Sequence, residues 1–187
     1  YSDGESHEWG HTMRISASKN VTIKNMTIMD ATGDGIVVHA FDHAFSSNYV
    51  YSENVLITNN KIIRARRNGI SLTDGKNIVI ENNEILDTGV STGLSDGTAP
   101  MWAIDIEPIW GGGVKYEFVE NVIIRNNIER GSEKGGFVNA RGDYITYENN
   151  TMENTIDIGQ TRGSIVRNNT FANPGANSTV AIYAGNY

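Results

Sequence analysis

Two acidic residues, Asp105 and Glu107, stand two positions apart in the run GTAPMWAIDIEP. If this run forms a strand, both carboxyl groups point to one face, with Cα atoms about 6.5–7 Å apart. Paired carboxyl groups can cleave a glycosidic bond, one as general acid and the other as base or nucleophile. We assign Glu107, which precedes Pro108 and an aromatic segment, as the acid, and Asp105 as the base or nucleophile.

Other polar residues recur at matching offsets in similar short runs. Aligned runs give three columns: Arg14, Val37, Ser71 and Asp105; then Ser16, His39, Thr73 and Glu107; and, just ahead of the strands, His11, Asp34, Asn68 and Trp102. Neighbours in a column should lie about 4.8 Å apart. Asp34 is therefore a further candidate catalytic carboxyl group. His11, His39 and Asn68 are candidates for substrate binding, and neutral imidazole also suits proton transfer near pH 7.

Two arginines and two tryptophans complete the predicted site. Arg66 and Arg67, in RARRNGI, occupy the corner before the ISL strand and can reach the same face. Arg66 is expected to bind substrate, and Arg67 is expected to act in catalysis. Trp102 and Trp110 lie on either side of the acidic pair, where aromatic rings can pack against sugar rings.

Short repeated strands must position these residues. Six segments alternate apolar and polar residues and all end in Asn: NVTIKN (20–25), NVLITN (54–59), NIVIEN (77–82), NVIIRN (121–126), YITYEN (144–149) and GSIVRN (163–168). The final asparagines are 34, 23, 44, 23 and 19 residues apart, so the base period is that of a solenoid coil. Asparagine tolerates left-handed backbone, and stacked amides can hydrogen-bond from coil to coil.

A second set of short strands precedes these segments, namely MRI (13–15), IVV (36–38), ISL (70–72), IDI (104–106) and IDI (156–158). The sequence therefore predicts an all-β fold, a right-handed single-stranded parallel β-helix of about six to seven coils, forming one domain over residues 1–187. Asn25, Asn59, Asn82 and Asn126 are expected at one corner. The segment GGFVNA fits two registers.

Three insertions interrupt the regular spacing, and loops on a rigid scaffold often carry function. Phe41–Ser52 and Pro108–Phe118 are expected to wall a groove that holds the acidic pair. The third insertion, VSTGLSDGTAPMW (90–102), lies on the other side of the IDI strand at 104–106. Asp157, which no insertion accompanies, is predicted to be a surface residue.

Composition excludes several classes of function. A net charge of −7 argues against nucleic acid as a partner, and no apolar run approaches the roughly 20 residues that span a membrane. The chain has no cysteine, which excludes disulfides and thiolate metal sites. Neither residues 1–10 nor residues 178–187 resemble a helical cap, so we expect a fragment of a longer protein, or coils capped by other chains.

The coils resemble the pectate lyase and polygalacturonase superfamily over essentially the whole chain. The combination of GDGI (33–36), RRNGISL (66–72) and GTAPMWAIDIEP (97–108) is most similar to β-helices of phage tail spikes, phage appendages and secreted bacterial polysaccharide-active proteins. This resemblance implies a cell-surface polysaccharide substrate, an extracellular or virion-surface location and, in many members, a homotrimer. Polygalacturonases carry two adjacent aspartates after Gly, whereas Gly35 follows Asp34 here, and no DPH-type motif is present.

Three functions remain open. The first is polysaccharide hydrolysis by the paired carboxyl groups, for which no metal or cofactor is predicted. The second is a lyase acting on a uronate polymer, in which Asp105 and Glu107 hold Ca²⁺ and Arg67 abstracts the proton; arginine rarely gives up its own proton. The third is a non-catalytic glycan-binding spike or adhesin.

Overall fold

A computed structural model describes residues 9–93 and 96–172 with their side chains, and the backbone of residues 182–184. The chain winds through six complete coils and begins a seventh. Coil 1 holds β1 (Met13–Ser16), β2 (Lys19–Lys24) and β3 (Thr27–Met29); coil 2 holds β4 (Ile36–His39), β5 (Glu53–Thr58) and β6 (Lys61–Ile63); coil 3 holds β7 (Ile70–Leu72), β8 (Gly75–Glu81) and β9 (Glu84–Leu86). Coil 4 holds β10 (Trp102–Ile106), a hairpin of β11 (Trp110–Gly111) and β12 (Val114–Lys115), β13 (Val119–Arg125) and β14 (Ile128–Arg130). Coil 5 holds β15 (Gly135–Asn139), β16 (Asp143–Glu148) and β17 (Thr151–Met152); coil 6 holds β18 (Ile156–Ile158), β19 (Ile165–Arg167) and β20 (Thr170–Phe171); and β21 (Ile182–Ala184) follows.

Equivalent strands of successive coils stack into three parallel sheets. Sheet A has the order β1-β4-β7-β10-β15-β18-β21, sheet B is β2-β5-β8-β13-β16-β19, and sheet C is β3-β6-β9-β14-β17-β20. Apart from the antiparallel hairpin, all of these strand pairs are parallel. The right-handed parallel β-helix and its coil number, both predicted from the repeat, are confirmed.

Aliphatic side chains fill the space between the three sheets. Successive coils stack like on like, as where Ile57, Ile80 and Ile124 pair across sheet B, and all three are fully buried. Burial of each such side chain contributes about 1.5–3 kcal/mol. In coil 5 the aromatic rings of Phe137 and Tyr147 stack in the same space, with centroids 6.3 Å apart.

The turn from sheet B to sheet C takes two residues in every coil. The first of the two has a left-handed backbone, with φ between 54° and 58°: Asn25, Asn59, Asn82, Asn126, Asn149 and Asn168. This aligned corner was predicted and is confirmed. Asparagine is favoured there because it adopts the left-handed conformation at lower cost than most residues.

Coil-to-coil hydrogen bonding belongs to the second residue of the turn. The side chains of Asn60, Asn83, Asn127, Asn150 and Asn169 form a ladder in which each Nδ2 of the first four donates to the next Oδ1 at 2.9–3.1 Å. Each Oδ1 beyond the first also accepts the backbone N–H of the preceding asparagine in the ladder, at 2.9 Å. Sequence reasoning assigned both roles to one position, whereas the structure divides them between neighbours.

Pairing in sheet A resolves the register of GGFVNA. Phe137 pairs with Ile104, Val138 with Asp105 and Asn139 with Ile106. The first predicted column is also confirmed, because Arg14 pairs with Val37, Val37 with Ser71 and Ser71 with Asp105. Asn139 thus takes an inward position, where its amide is hydrogen-bonded to the backbone of Gly142.

The described part of the chain contains no helix long and apolar enough to cross a membrane. The expectation that neither end carries a helical cap falls mostly on residues 1–8, 173–181 and 185–187, which lie outside the described residues.

Candidate functional site

Asp34 is the centre of a buried polar network at the edge of sheet A. Its side chain is 1% exposed, and both of its oxygens lie 3.1 Å from the Arg67 guanidinium. It also accepts the backbone N–H of Asn68 at 3.0 Å, and one oxygen lies 3.2 Å from His11 Nδ1. Burial alone would raise its pKa, but the His11 hydrogen bond, the Arg67 charge and the Asn68 N–H outweigh burial and lower the pKa. Asp34 is therefore an ionised residue whose oxygens are occupied.

Asn68 connects Asp34 to the predicted acidic pair. Its Oδ1 accepts the backbone N–H of Trp102 at 2.9 Å, which fixes the orientation of the amide. Its Nδ2 then donates to Asp105 Oδ2 at 2.9 Å and to Ser71 Oγ at 3.0 Å. Because Oδ2 of Asp105 receives this hydrogen bond, a proton on the carboxyl group belongs on Oδ1.

Asp105 is nearly enclosed, with only 3% of its surface exposed. Burial, together with the negative charge of Glu107, raises its pKa to about 7; the Arg67 charge acts in the opposite direction. At neutral pH a large share of Asp105 is therefore protonated, as a general acid requires.

Glu107 lies one residue beyond the end of β10 and is exposed to solvent. Its backbone N–H donates to Leu72 O at 3.0 Å, which keeps it in register with Thr73 of the coil before. The prediction that Glu107 is the shielded carboxyl group is wrong. We expected a shielded Glu107 to keep the proton, but Asp105 is the enclosed carboxyl group because the strand and its neighbours cover it.

The two histidines lie on the coil 1 and coil 2 side of this network. His11 contacts Asp34, while His39 accepts a hydrogen bond from Arg14 Nε through its own Nε2. Burial, the positive charge of Arg14 and the nearby His11 lower the pKa of His39, which favours its neutral form at pH 7. His39 shares the outward column of Glu107 but lies two coils away from it.

Arg66 and Trp102 have structural contacts that sequence reasoning did not anticipate. Arg66 is buried, and its Nε donates to Thr98 Oγ1 at 3.0 Å, so it holds the long segment between β9 and β10. Trp102 is 6% exposed and its ring covers Gly135, where any Cβ would collide with the indole. Neither residue offers an open surface to a polymer. Both side chains make packing contacts in this fold, and their assignment to substrate binding stays a prediction.

The two insertions after sheet A strands contact each other instead of standing apart as groove walls. Ala44 N donates to Tyr116 O at 2.9 Å, and the rings of Phe45 and Tyr116 meet edge to face at 5.8 Å. Similar ring contacts join Tyr49 to Phe118 at 6.0 Å. Residues 41–52 and 108–118 thus form one continuous ridge over the corner of coil 3, along a single side of the sheet A face.

The ridge covers a second buried carboxyl group, Asp74. It is 0% exposed and accepts the Tyr49 hydroxyl at 2.7 Å and the Phe118 N–H at 3.3 Å. Burial, with the nearby charge of Glu117, raises the pKa of Asp74 to about 7. Burial also raises the pKa of Glu117, whose carboxylate accepts the Ile109 N–H at 3.0 Å.

Trp110 lies apart from the Asp105 network, in the hairpin of coil 4. It lines a surface depression of about 390 Å³ together with Lys115, Asp143 and Arg162. Lys115 Nζ lies 5.7 Å from the centre of its ring, and the Arg141 guanidinium carbon lies 5.3 Å from it. Trp102 is thus covered, whereas Trp110 faces coils 5 and 6, so the two rings do not border one open surface.

The residues around the depression were missed because the register of GGFVNA was unresolved. Without that register, Arg141, Asp143 and Arg162 could not be placed relative to Trp110. The buried Asp74 was missed for a different reason, since the sequence TDG reads as an ordinary turn. The aromatic residues of both insertions, Tyr49, Tyr116 and Phe118, were the available signal that the insertions pack together.

Within residues 9–93 and 96–172, no three histidine or acidic side chains come together as a set that could hold a metal ion. Asp105 and Glu107 are two carboxyl groups of different exposure, and Asp34 has its oxygens engaged by Arg67, His11 and Asn68. Calcium usually takes six to eight oxygen ligands. The described residues therefore fit a calcium site poorly.

A sequence model of the right-handed β-helix region matches residues 6–152. The chain belongs to the right-handed β-helix family. It is 37% identical over 169 residues to the uncharacterized protein YclG of Bacillus subtilis (strain 168), covering 90% of this chain and 28% of that protein. It is 26% identical over 182 residues to the SPbeta prophage-derived uncharacterized protein YorA of the same organism, covering 96% of this chain and 30% of that protein. This β-helix thus spans about three-tenths of each relative, and no solved structure matches it.

Proposed function

We propose that this β-helix cleaves a polysaccharide by hydrolysis on its sheet A face. The observation that supports the proposal is the contrast between two acidic residues two positions apart. Asp105 is buried and its pKa is raised to about 7, whereas Glu107 is exposed. A pair of carboxyl groups in such different environments supplies an acid and a base at one pH.

In the proposed mechanism Asp105 donates its Oδ1 proton to the glycosidic oxygen as that bond breaks. Asn68 donates a hydrogen bond to the other oxygen of Asp105. Asp34, which is paired with Arg67, accepts the backbone N–H of Asn68 and so fixes the position of Asn68. Glu107 takes a proton from a water molecule that attacks the sugar from the opposite face. Because a water molecule activated by Glu107 attacks the sugar directly, the reaction inverts the anomeric carbon, which calls for about 6.5–9.5 Å between the two carboxyl groups.

Asp34 and Arg67 are positioning residues in this proposal. Both were predicted to act directly, but Arg67 Nη1 donates to Asp34 at 3.1 Å, so the guanidinium is engaged as a hydrogen-bond donor. A proton-abstracting arginine has to be neutral. This geometry supports hydrolysis over the lyase alternative.

The test compares Asp105→Asn and Glu107→Gln with the wild type, using release of reducing ends from polysaccharides of bacterial surfaces and of plants. Loss of a general acid or base should lower the rate by about 10² to 10⁴. Asp157→Asn is the matched control, because Asp157 follows Asp105 and Val138 in the same column of sheet A. Full activity in both site variants would contradict the assignment. An unsaturated product, detected by its ultraviolet absorbance, would identify a lyase instead.

A non-catalytic glycan-binding spike is the second candidate, and the burial of Asp105 favours it. An acid that is 3% exposed has little contact with solvent, so a substrate must approach its Oδ1 closely. If the chain binds a polymer and releases no product from it, binding is the function of this face.

We also propose that the protein acts at a cell or virion surface. Support comes from the similarity to YorA, which is described as derived from a prophage. The homotrimer implied by the resemblance to tail spikes stays a prediction, which the mass of the intact protein in solution would test.

A further inference from the structure

The depression beside Trp110 differs in charge from the rest of this acidic chain. Lys115 and Arg162 line it, and Arg141 lies beside it against the Trp110 ring. The nearby carboxylates are those of Asp143, which lines the depression, and Glu120, which contacts Lys115. The whole chain carries a net charge of −7. A local excess of positive charge on a negative protein is unusual enough to ask what it binds.

Asp143 does not neutralise this site, because it is shared by two cations. Its Oδ2 lies 2.6 Å from Arg162 Nη2 and 3.4 Å from Lys115 Nζ, and its Oδ1 accepts the Arg162 backbone N–H at 2.9 Å. Burial raises the pKa of Asp143, but the hydrogen bonds from Arg162 and the charge of Lys115 outweigh burial. The net effect is a lowered pKa, so Asp143 is ionised. The Arg162 side chain remains 69% exposed, with N–H groups that Asp143 does not use.

Arg141 adds a cation that has no carboxylate partner within the described residues. Its guanidinium is held instead against the Trp110 ring, 5.3 Å from the centroid. Stacking on an aromatic ring orients a guanidinium without neutralising it. Arg141 is therefore positioned to pair with an acidic group that the described chain does not supply.

The depression is connected to the proposed catalytic pair along sheet A. Ala140 N donates to Ile106 O at 2.9 Å and Gly159 N donates to Asn139 O at 2.7 Å, which places Glu107, Ala140 and Gly159 in one column. Gly159 lines the depression. Two strand spacings separate it from Glu107, about 10 Å. Because Ala140 and Gly159 have small or no side chains, nothing in this column obstructs a polymer that runs from Glu107 to the depression.

We infer that the depression lined by Trp110, Lys115 and Arg162, with Arg141 beside it, binds an anionic group of the polysaccharide that passes over Glu107. The substrate class is then an acidic polymer, whose charge is a uronate carboxylate or a phosphate. This inference rests on the proposed function, since it names the substrate of the same face. Charge-assisted hydrogen bonds from arginine to either group are among the stronger polar contacts.

The test measures binding by the change in tryptophan fluorescence, so that it does not depend on turnover. Three probes are used: polygalacturonate oligomers, the same oligomers fully methyl-esterified, and poly(glycerol phosphate). We expect one of the two acidic polymers to bind, the esterified oligomers to bind at least tenfold more weakly than the acid, and high salt to weaken binding. Whether the carboxylate or the phosphate polymer binds more tightly identifies the source of the charge.

Arg141→Gln should raise the dissociation constant for the acidic polymer by about tenfold or more, which is the loss of affinity expected for one charge-assisted hydrogen bond. Lys115→Gln should act in the same direction. Arg130→Gln and Lys24→Gln are the matched controls, because both residues are exposed and lie on sheets C and B. Equal binding by Arg141→Gln and the wild type, or binding of the ester as tight as that of the tighter acidic polymer, would overturn the inference.

Failure of this inference can be told apart from failure of the proposed function. If the chain cleaves a neutral polymer and binds neither acidic one, the anionic site is wrong and hydrolysis stands. If Arg141→Gln weakens binding while Asp105→Asn keeps full cleavage, the anionic site stands and the catalytic assignment is wrong.

Discussion

Asp34 and Asp105 are both buried on the same sheet, yet their pKa values move in opposite directions. Asp34 receives a guanidinium, a backbone N–H and an imidazole, and these partners lower its pKa despite burial. Asp105 receives one amide hydrogen bond from Asn68 and faces the negative charge of Glu107, so burial raises its pKa. The hydrogen-bond partners, more than the depth of burial, decide which carboxyl group keeps a proton.

The raised pKa of Asp74 can be measured through the pH dependence of the free energy of unfolding. Its pKa rises from 3.8 in the unfolded chain to about 7 in the folded one, so the folded state binds more protons between these values. Stability is therefore highest below about pH 4 for this group and falls as pH rises toward 7, by roughly 2–4 kcal/mol. Asp105 contributes in the same direction.

We expect urea unfolding of the wild type to show a lower midpoint at pH 8 than at pH 5. Asp74→Asn, which cannot ionise, should reduce that difference, and Asp157→Asn should leave it unchanged. A wild-type midpoint that rises from pH 5 to pH 8 would contradict the raised pKa values of Asp74 and Asp105.

At the scale of the strands and turns, the asparagine corner shows what sequence could and could not predict. The left-handed position of Asn25, Asn59 and Asn82 followed from their regular spacing, because few residues tolerate that backbone. The ladder through Asn60 and Asn83 did not follow, since the first coil has Met26 at that position and the pattern looks incomplete. Met26 nevertheless joins the ladder through its backbone N–H, which donates to Asn60 Oδ1 at 3.1 Å.

Asn83→Ala tests the ladder. Its side chain accepts from the backbone and side chain of Asn60 and donates to Ile57 O and Asn127 Oδ1. Removing it leaves buried polar groups unpaired, and we expect a loss of about 2–4 kcal/mol in the free energy of unfolding.

The neighbouring variant Asn82→Gly is the control, because Asn82 is exposed and glycine keeps its left-handed φ of 56°. It should change the free energy of unfolding by less than about 1 kcal/mol. If both variants lose the same amount, the division of roles between the two positions is wrong.

The site was less predictable than the fold for a similar reason. Column positions of Asp34, Asn68 and Asp105 follow from strand register, and sequence placed them correctly. The path of an insertion does not follow from register, so the contact between Ala44 and Tyr116 and the position of Trp110 beside coil 5 had to come from the structure.

At the scale of the whole molecule, each coil is stabilised by the coils beside it. β8 pairs with β5 on one side and β13 on the other, whereas β2 has one neighbour, β5, among the described strands. In stacked-repeat proteins stability is approximately a sum of such nearest-neighbour terms.

We expect amide hydrogen exchange of this chain to be slower in β8 and β13 than in β2. Peptides covering residues 75–81 and 19–24 provide the comparison, and both strands belong to sheet B. Equal protection of the two would mean that the described coils unfold as one unit.

The two-residue turn from sheet B to sheet C has a consequence for how this protein can change over evolutionary time. All six coils keep that turn at the same length, while the segments between β4 and β5, between β9 and β10 and between β10 and β13 are long. Insertions are thus accepted at two corners of the coil, between sheets A and B and between sheets C and A. At the third corner, between sheets B and C, an insertion or deletion would interrupt the amide ladder. Loops can then be exchanged at the two permissive corners, and an engineer who wants to alter the proposed polysaccharide site should graft new segments there.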